Sequence, residues 1–164
     1  MNIVVFVNPL QEIHEFWEDV ITNMSESDKA AIEFALQLKE KKNGKVTAVA
    51  IGGEDADKAL REAFAMGVDE AAILKDPAPE ENEAGKIAAV LKQFNADVFV
   101  SGRNDDVMKK ASEQLGVPQV DSKEFENNSS KSLVMVKEGD FDPRFMTIPG
   151  VYTAYKRVVQ ELSI

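Results

Sequence analysis

The residues that could do chemistry lie in three short segments, each of which directly follows a predicted β-strand. These segments are Asn8-Pro9, Gly52-Gly53 and Gly102-Arg103-Asn104. Free backbone amides beyond the carboxyl ends of parallel strands are where anions and nucleotides dock. Any α/β fold also needs small residues at such turns, so a purely structural role stays open beside a ligand-binding one.

Arg103 is the cationic side chain that draws attention in these segments. Only four of the nineteen basic residues are arginine, and this one follows a glycine at a strand-to-helix turn. A guanidinium at this position could bind a phosphate group through two hydrogen bonds. It could equally pair with Asp105 or Asp106 and close the loop. The sequence leaves both alternatives open.

Other kinds of site have little support in the sequence. The absence of cysteine excludes disulfides, thiolate nucleophiles, iron–sulfur ligation and most structural zinc sites. His14 is the one histidine, and there is neither a GxSxG elbow nor an EF-hand spacing. We interpret His14 as a surface residue in a loop or short helix beside Phe16 and Trp17. No constellation supports a catalytic activity of the chain's own.

The 164 residues suit a single domain, residues 1–164, with a substantial core. The formal net charge of −10 argues against nucleic acid or an anionic membrane as the main partner. The apolar run near the N-terminus is too short for a signal peptide or a membrane span. We therefore expect a cytoplasmic protein without membrane insertion.

Strands alternate with helices along most of the chain, which predicts a three-layer α/β sandwich around a parallel sheet. The five predicted strands are Ile3–Val7, Lys45–Ile51, Glu70–Leu74, Asp97–Ser101 and Pro118–Lys123. We expect them in the order 3-2-1-4-5. The first helix is predicted over Asp28–Lys41, with Ser25 or Ser27 as its N-cap. Two further helical stripes end at Gly67 and Gly116.

The C-terminal third has a different character. A turn is predicted at 126–132, followed by a LeuValMetVal strand and a strand-like ValTyrThrAlaTyr run after Pro149. We expect these segments to form an antiparallel β extension of the sheet.

The segment Asp28–Leu74 resembles the β subunit of electron transfer flavoproteins. The family's acidic residue before an AlaLeuGluGluAlaLeu-like helix corresponds to Asp28-Lys29-Ala30-Ala31-Ile32-Glu33-Phe34-Ala35-Leu36. Its GlyGlyGluValThr-like strand and AlaLeuAlaMetGlyAlaAsp-like turn correspond to residues 43–47 and 63–69. Residues 97–103, 115–120 and 149–153 are similar as well.

The resemblance implies a fold like that of adenine nucleotide α-hydrolases, with AMP at the carboxyl edge of the sheet. It implies that FAD is held mainly by a partner subunit. The implied contacts of AMP or another adenine nucleotide are Val7, Asn8, Pro9, Ala50, Ile51, Gly52, Gly102, Arg103, Asn104 and Asp105. The last turn departs from the β-subunit pattern, because Gly102 runs into Val107 without the family's threonine and glutamine.

The resemblance therefore implies an electron transfer subunit or domain that works with a flavin-bearing partner. It predicts an exposed apolar surface, for that partner or for a homodimer, formed by Phe145, Met146, Ile148, Tyr152 and Tyr155. The alternative is a stand-alone adenine-nucleotide-binding module of the stress-protein type, or an interaction scaffold without redox activity.

Overall fold

A computed structural model describes residues 1–9, 24–125 and 131–164 of the chain. Within these residues, strands and helices alternate along most of the chain. In chain order they are β1 (Asn2–Phe6), α1 (Glu26–Lys42), β2 (Lys45–Gly52), α2 (Glu54–Met66), β3 (Glu70–Lys75), α3 (Glu83–Leu91), β4 (Val98–Ser101), α4 (Asp106–Leu115), β5 (Gln119–Asp121), β6 (Ser132–Met135), α5 (Ile148–Ala154) and β7 (Val159–Glu161).

The strands form one parallel sheet in the order β5-β6-β4-β1-β2-β3-β7. The expected parallel sheet and its central order β3-β2-β1-β4 are confirmed. β1 lies in the middle, where Val4 is level with Thr47 on one side and with Phe99 on the other. The residues that follow β1 and β4 are therefore brought side by side at one edge.

The expected five strands with an antiparallel extension are wrong. β6 lies between β4 and β5 and is parallel to both. Leu133 and Val134 are fully buried in different core clusters, so this strand is covered on both faces. A strand covered on both faces suits an internal position of a parallel sheet. The half-exposed β5 takes the edge instead.

The ValTyrThrAlaTyr run is also not a strand, because it lies largely in α5. Thr147 caps this helix by accepting a hydrogen bond from the Gly150 amide at 2.9 Å, and Pro149 lies in its first turn. Both are helix-start signals, and they outweigh the β propensity of valine, tyrosine and threonine. The chain then adds β7, parallel to β3.

Successive side chains of β1 point to opposite faces of the sheet, and they belong to two separate layers of the core. Ile3 and Val5 belong to the cluster that includes α1 and α2, whereas Val4 and Phe6 belong to the cluster that includes α3 and α4. The three-layer sandwich is thus confirmed. α5 packs beside α2. A Cβ atom on Gly150 would lie 2.9 Å from the Ala65 carbonyl oxygen, so there is no room for a side chain at position 150.

The predicted cap of α1 is confirmed. Ser25 accepts a hydrogen bond from the Asp28 amide at 3.1 Å, although the helix begins two residues earlier than expected. Asn43 ends the helix in the left-handed conformation. The position of His14 beside Phe16 and Trp17, and most of the turn at 126–132, lie outside the described residues. No helix in the described part of the chain is long and apolar enough to cross a membrane.

Candidate functional site

The carboxyl edge of the sheet brings together the segments that follow β1 and β4. Arg103 Nη1 donates a hydrogen bond to Asn8 Oδ1 at 3.1 Å. Both residues of this contact line two cavities. One, of about 190 Å³, is lined by Phe6, Asn8, Pro9, Ile51, Pro79, Glu80, Glu83, Ile87 and Arg103. The other, of about 370 Å³, is lined by Asn8, Pro9, Ser25, Ser27, Asp28, Gly102, Arg103, Asn104 and Asp105.

Arg103 is held by two carboxylates. Its Nε donates to Asp105 at 2.6 Å, and Nη1 and Nη2 both donate to the carboxylate of Glu83. Burial lowers the pKa of Arg103, but hydrogen bonds to Glu83 and Asp105 outweigh burial and leave this pKa above its ordinary value. Of the two alternatives left open by the sequence, pairing with Asp105 is confirmed. The sequence did not predict the pairing with Glu83.

Asp28 is the buried charge of the site, and it is a functional candidate that the sequence did not single out. Its side chain is about 1% exposed, and its Oδ2 accepts a hydrogen bond from the Asn8 amide at 2.8 Å. Burial raises the pKa of Asp28 to about 7, against hydrogen bonds from Asn8 and the charge of Arg103. Asp28 lies in the first turn of α1, where an acidic residue is ordinary. The sequence therefore offered no separate signal of a functional role.

The turn after β4 approaches α1 closely, and this explains Gly102. A Cβ atom at this position would lie 2.5 Å from the backbone carbon and oxygen of Ser27. Asp105 then caps α4 by accepting a hydrogen bond from the Met108 amide at 3.0 Å. The glycine is therefore required by backbone packing between this turn and α1.

The ten predicted contact residues are not all in one place. Asn8, Pro9, Gly102, Arg103, Asn104 and Asp105 line the larger cavity, and Ile51 joins three of them in the smaller one. The side chains of Val7 and Ala50 are buried in the core on the α1 and α2 side. Gly52 lines a separate depression with Lys75 and Asp76, although its Cβ position is 3.8 Å from Pro9.

A second surface feature is a set of exposed apolar side chains, which we call the apolar face. Its members are Phe145 (93% exposed), Met146 (47%), Ile148 (76%), Val151 (41%), Tyr152 (73%), Tyr155 (70%) and Val158 (84%). The exposure expected for five of these residues is confirmed. The face is a property of the C-terminal segment, since the chain from Phe145 to Val158 supplies all of it.

The segment that carries the apolar face is firmly attached to the domain. At its start, Arg144 pairs with Glu33 at 2.7 Å and with Glu40 at 2.6 Å. At its end, Arg61 donates to the Ala154 carbonyl at 3.0 Å, and the Arg157 guanidinium lies 4.5 Å from the centre of the Phe64 ring. The exposed side chains are thus carried by a segment that is attached to α1 and α2 through side-chain contacts.

The described residues contain no group of three or more histidine, cysteine, aspartate or glutamate side chains placed to hold a metal ion. Among the described residues, the two cavities are lined by one guanidinium, several carboxylates, the amide side chains of Asn8 and Asn104, and apolar groups. Such a set can hold an organic ligand by hydrogen bonds and apolar contact.

This arrangement defines a class: a three-layer α/β domain with a parallel sheet and a candidate ligand site at the carboxyl ends of its strands. A universal stress protein from Archaeoglobus fulgidus has a similar structure, with a TM-score of 0.52, 15% identity, and coverage of 84% of this chain and 93% of that one. At this identity the likeness shows the fold alone.

The family is shown by sequence. The family model of the electron transfer flavoprotein domain matches residues 17–122, and the chain belongs to this family. It is 30% identical to the electron transfer flavoprotein subunit beta of Bacillus subtilis, over 84% of this chain and 65% of the relative. The corresponding subunit of Thermoanaerobacterium thermosaccharolyticum is 29% identical, over 96% and 76%. That of Clostridium acetobutylicum is 34% identical, over 73% and 54%.

The resemblance found in the sequence is thus confirmed. The chain spans about two thirds of the length of the Bacillus subtilis relative.

Proposed function

We propose that this chain is a subunit or domain of an electron transfer flavoprotein-type assembly and acts with a flavin-bearing partner. The observation that carries the proposal is the exposed apolar face in a member of a family whose similar relatives are named as beta subunits. A subunit needs a surface that another chain covers, and in this proposal the apolar face is that surface.

The composition of the apolar face supports a protein partner. Aromatic residues and methionine are enriched at the buried centres of protein interfaces, whereas lysine and glutamate are depleted there. On association with a partner, the large side chains of Phe145, Tyr152 and Tyr155 would each become buried. Because the supporting segment is tied down through Arg144, Arg61 and Arg157, docking would cost little ordering entropy.

We assign the flavin to the partner. The two cavities beside Arg103 measure about 190 Å³ and about 370 Å³, which lie below and near the lower end of the roughly 300–1,000 Å³ that is typical of ligand pockets. These sizes suit a fragment of a cofactor better than a complete FAD. In this proposal the chain takes part in electron transfer through association with its partner.

We further propose that the carboxyl-edge site holds an adenine ligand through those of the ten implied residues that line the two cavities. These are Asn8, Pro9, Ile51, Gly102, Arg103, Asn104 and Asp105. Pro9 and Pro79 supply apolar surface for a flat purine ring, together with the small exposed parts of Phe6 and Ile51. Asn8 lines both cavities, and its buried side-chain amide is a donor of the kind that a ring nitrogen accepts from. AMP would place its phosphate near Arg103.

The association is tested by titration calorimetry with the purified, FAD-loaded partner subunit of the organism that makes this chain. Tyr152→Glu and Phe145→Asp put a carboxylate at the apolar face and should each weaken binding by at least about tenfold. Gln114→Glu is the control, because it adds the same charge to an exposed position of α4 in another layer. Absence of a complex, or equal binding by all variants, would contradict the proposal.

A homodimer through the apolar face is the competing outcome, and sedimentation velocity of the chain alone distinguishes it. A dimer that Tyr152→Glu dissociates would assign the face to self-association. The second candidate function, a stand-alone adenine-binding module, is favoured by the carboxyl-edge cavities. It requires calorimetric binding of adenosine, AMP or ATP together with no complex with the flavin-bearing subunit.

A further inference from the structure

We infer that the carboxyl-edge site selects an uncharged adenine nucleoside over a phosphorylated one, with Glu83 as the residue that determines this specificity. The inference rests on the proposed adenine ligand and narrows its chemical class. It departs from the AMP expected for the family, and it is carried by the charges and contacts around Arg103.

The lining of the site is strongly acidic. Among the described residues that line the two cavities, Arg103 is the single basic side chain, whereas Asp28, Glu80, Glu83 and Asp105 are acidic. A phosphate group brought into this set adds further negative charge at short range. Like charges in a partly desolvated site repel each other by amounts that change affinity many-fold.

The one guanidinium is already engaged. Arg103 Nε donates to Asp105, Nη1 donates to Asn8 and to Glu83, and Nη2 donates to Glu83 at 3.3 Å. Glu83 thus occupies the paired donor face that a phosphate would use. A nucleotide must displace this carboxylate and then leave it unpaired beside the incoming phosphate.

An uncharged nucleoside meets neither obstacle. The apolar lining of the smaller cavity comes from Pro9, Pro79 and the small exposed parts of Phe6 and Ile51, and it can contact the purine without any charge. Ser25 and Ser27 line the neighbouring cavity with polar but uncharged hydroxyl groups. Ser25 Oγ accepts a hydrogen bond from the Asp28 amide and lies 3.1 Å from Ser27 Oγ, so Ser27 is the hydroxyl with hydrogen-bonding capacity left for a ribose. The ion pair between Arg103 and Glu83 stays intact in this arrangement and helps to form the wall of the site.

Glu83 lies at the start of α3, so its side chain can be altered without touching the core of the sheet. Glu83→Gln keeps the size and the hydrogen-bonding oxygen but removes the charge. It should free Arg103 for a phosphate. Glu81→Gln is the matched control, because it removes the same charge two residues away, at an exposed position that does not line either cavity.

The test is titration calorimetry of the full chain with adenosine and with AMP, for the wild type and for both variants, with thermal melts to confirm folding. The wild type should bind adenosine at least about tenfold more tightly than AMP. Glu83→Gln should strengthen AMP binding by about fivefold or more and leave adenosine within about twofold. Glu81→Gln should change neither ligand by more than about twofold.

Each contrary result has its own meaning. Tighter binding of AMP than of adenosine by the wild type would overturn the inference and leave the proposed adenine site standing. Equal effects of Glu83→Gln and Glu81→Gln on AMP would remove Glu83 from its role. Binding of neither compound would overturn the adenine site itself, and the inference with it.

Discussion

At the scale of single residues, Asp28 is the buried charge that connects α1 to the candidate site. Its carboxylate accepts the Asn8 amide hydrogen bond and feels the charge of Arg103, yet burial raises its pKa to about 7. A carboxyl group with this pKa changes its charge near neutral pH. The electrostatics of the site therefore depend on pH through a side chain that is scarcely exposed.

The first prediction concerns Asp28→Asn and the free energy of unfolding. The folded state holds the Asp28 proton more tightly than the unfolded state, so wild-type stability falls as pH rises from about 4 through about 7. Asparagine keeps an acceptor for the Asn8 amide but cannot ionise. The stability of the variant relative to the wild type should rise by about 2–3 kcal/mol between about pH 5 and about pH 8, as measured by urea unfolding.

The control for this prediction is Asp106→Asn, since Asp106 is exposed in the first turn of α4. The difference between the control and the wild type should stay nearly constant over the same pH range. Parallel pH profiles for Asp28→Asn and the wild type would contradict the assignment of a raised pKa to Asp28.

Only part of the surroundings of Arg103 was predictable from the sequence. Its place at the strand-to-helix turn and its pairing with Asp105 are local, two residues apart, and were predictable. Glu83 is twenty residues away, in the preceding strand-to-helix unit. The two meet because of where their helices begin beyond the sheet edge, which no local pattern specifies.

At the scale of elements, the attachment of the C-terminal segment to α1 depends on Arg144. Glu33 is about 6% exposed and accepts hydrogen bonds from Arg144 through both carboxylate oxygens. Burial works against ionisation, but hydrogen bonds from Arg144 and Gln37 hold the pKa of Glu33 below its ordinary value. The buried carboxylate and the guanidinium thus depend on each other.

The second prediction follows from this pair. Arg144→Gln leaves the Glu33 carboxylate without its counterion and should lower the free energy of unfolding by about 2 kcal/mol. Glu40→Gln removes the other partner of Arg144, which is more than half exposed, and should cost less than about 0.5 kcal/mol. Urea unfolding at neutral pH measures both. Similar losses for the two variants would show that burial of Glu33 does not matter.

The elements that were mispredicted share one physical cause. The sequence pattern of β6 predicts a strand. Its position between β4 and β5 depends on which elements of the fold cover its two faces, and the local pattern does not specify them. In α5, Thr147 caps the helix by accepting a hydrogen bond from the Gly150 amide. This cap outweighs the residue propensities that favour a strand. In the strongly periodic part from Glu26 to Lys75, local and tertiary preferences agree, so the pattern sufficed there.

At the scale of the whole molecule, two features lie on different parts of the domain. The candidate ligand site follows β1 and β4, near the middle of the sheet, whereas the apolar face lies on the segment packed beside α2. Ligand binding and partner binding should therefore be separable. Substitutions at one feature should leave the other intact.

The central claim is that the apolar face is covered by the flavin-bearing partner, and hydroxyl-radical footprinting with mass spectrometry tests it most directly. Methionine and tyrosine are suitable reporters, because Met146, Tyr152 and Tyr155 are exposed while Met24 and Met108 are buried. Adding the FAD-loaded partner should reduce oxidation of the three exposed residues by about fivefold or more, and leave the two buried ones unreactive throughout. Unchanged oxidation of Met146, Tyr152 and Tyr155 in a complex that demonstrably forms would contradict the account.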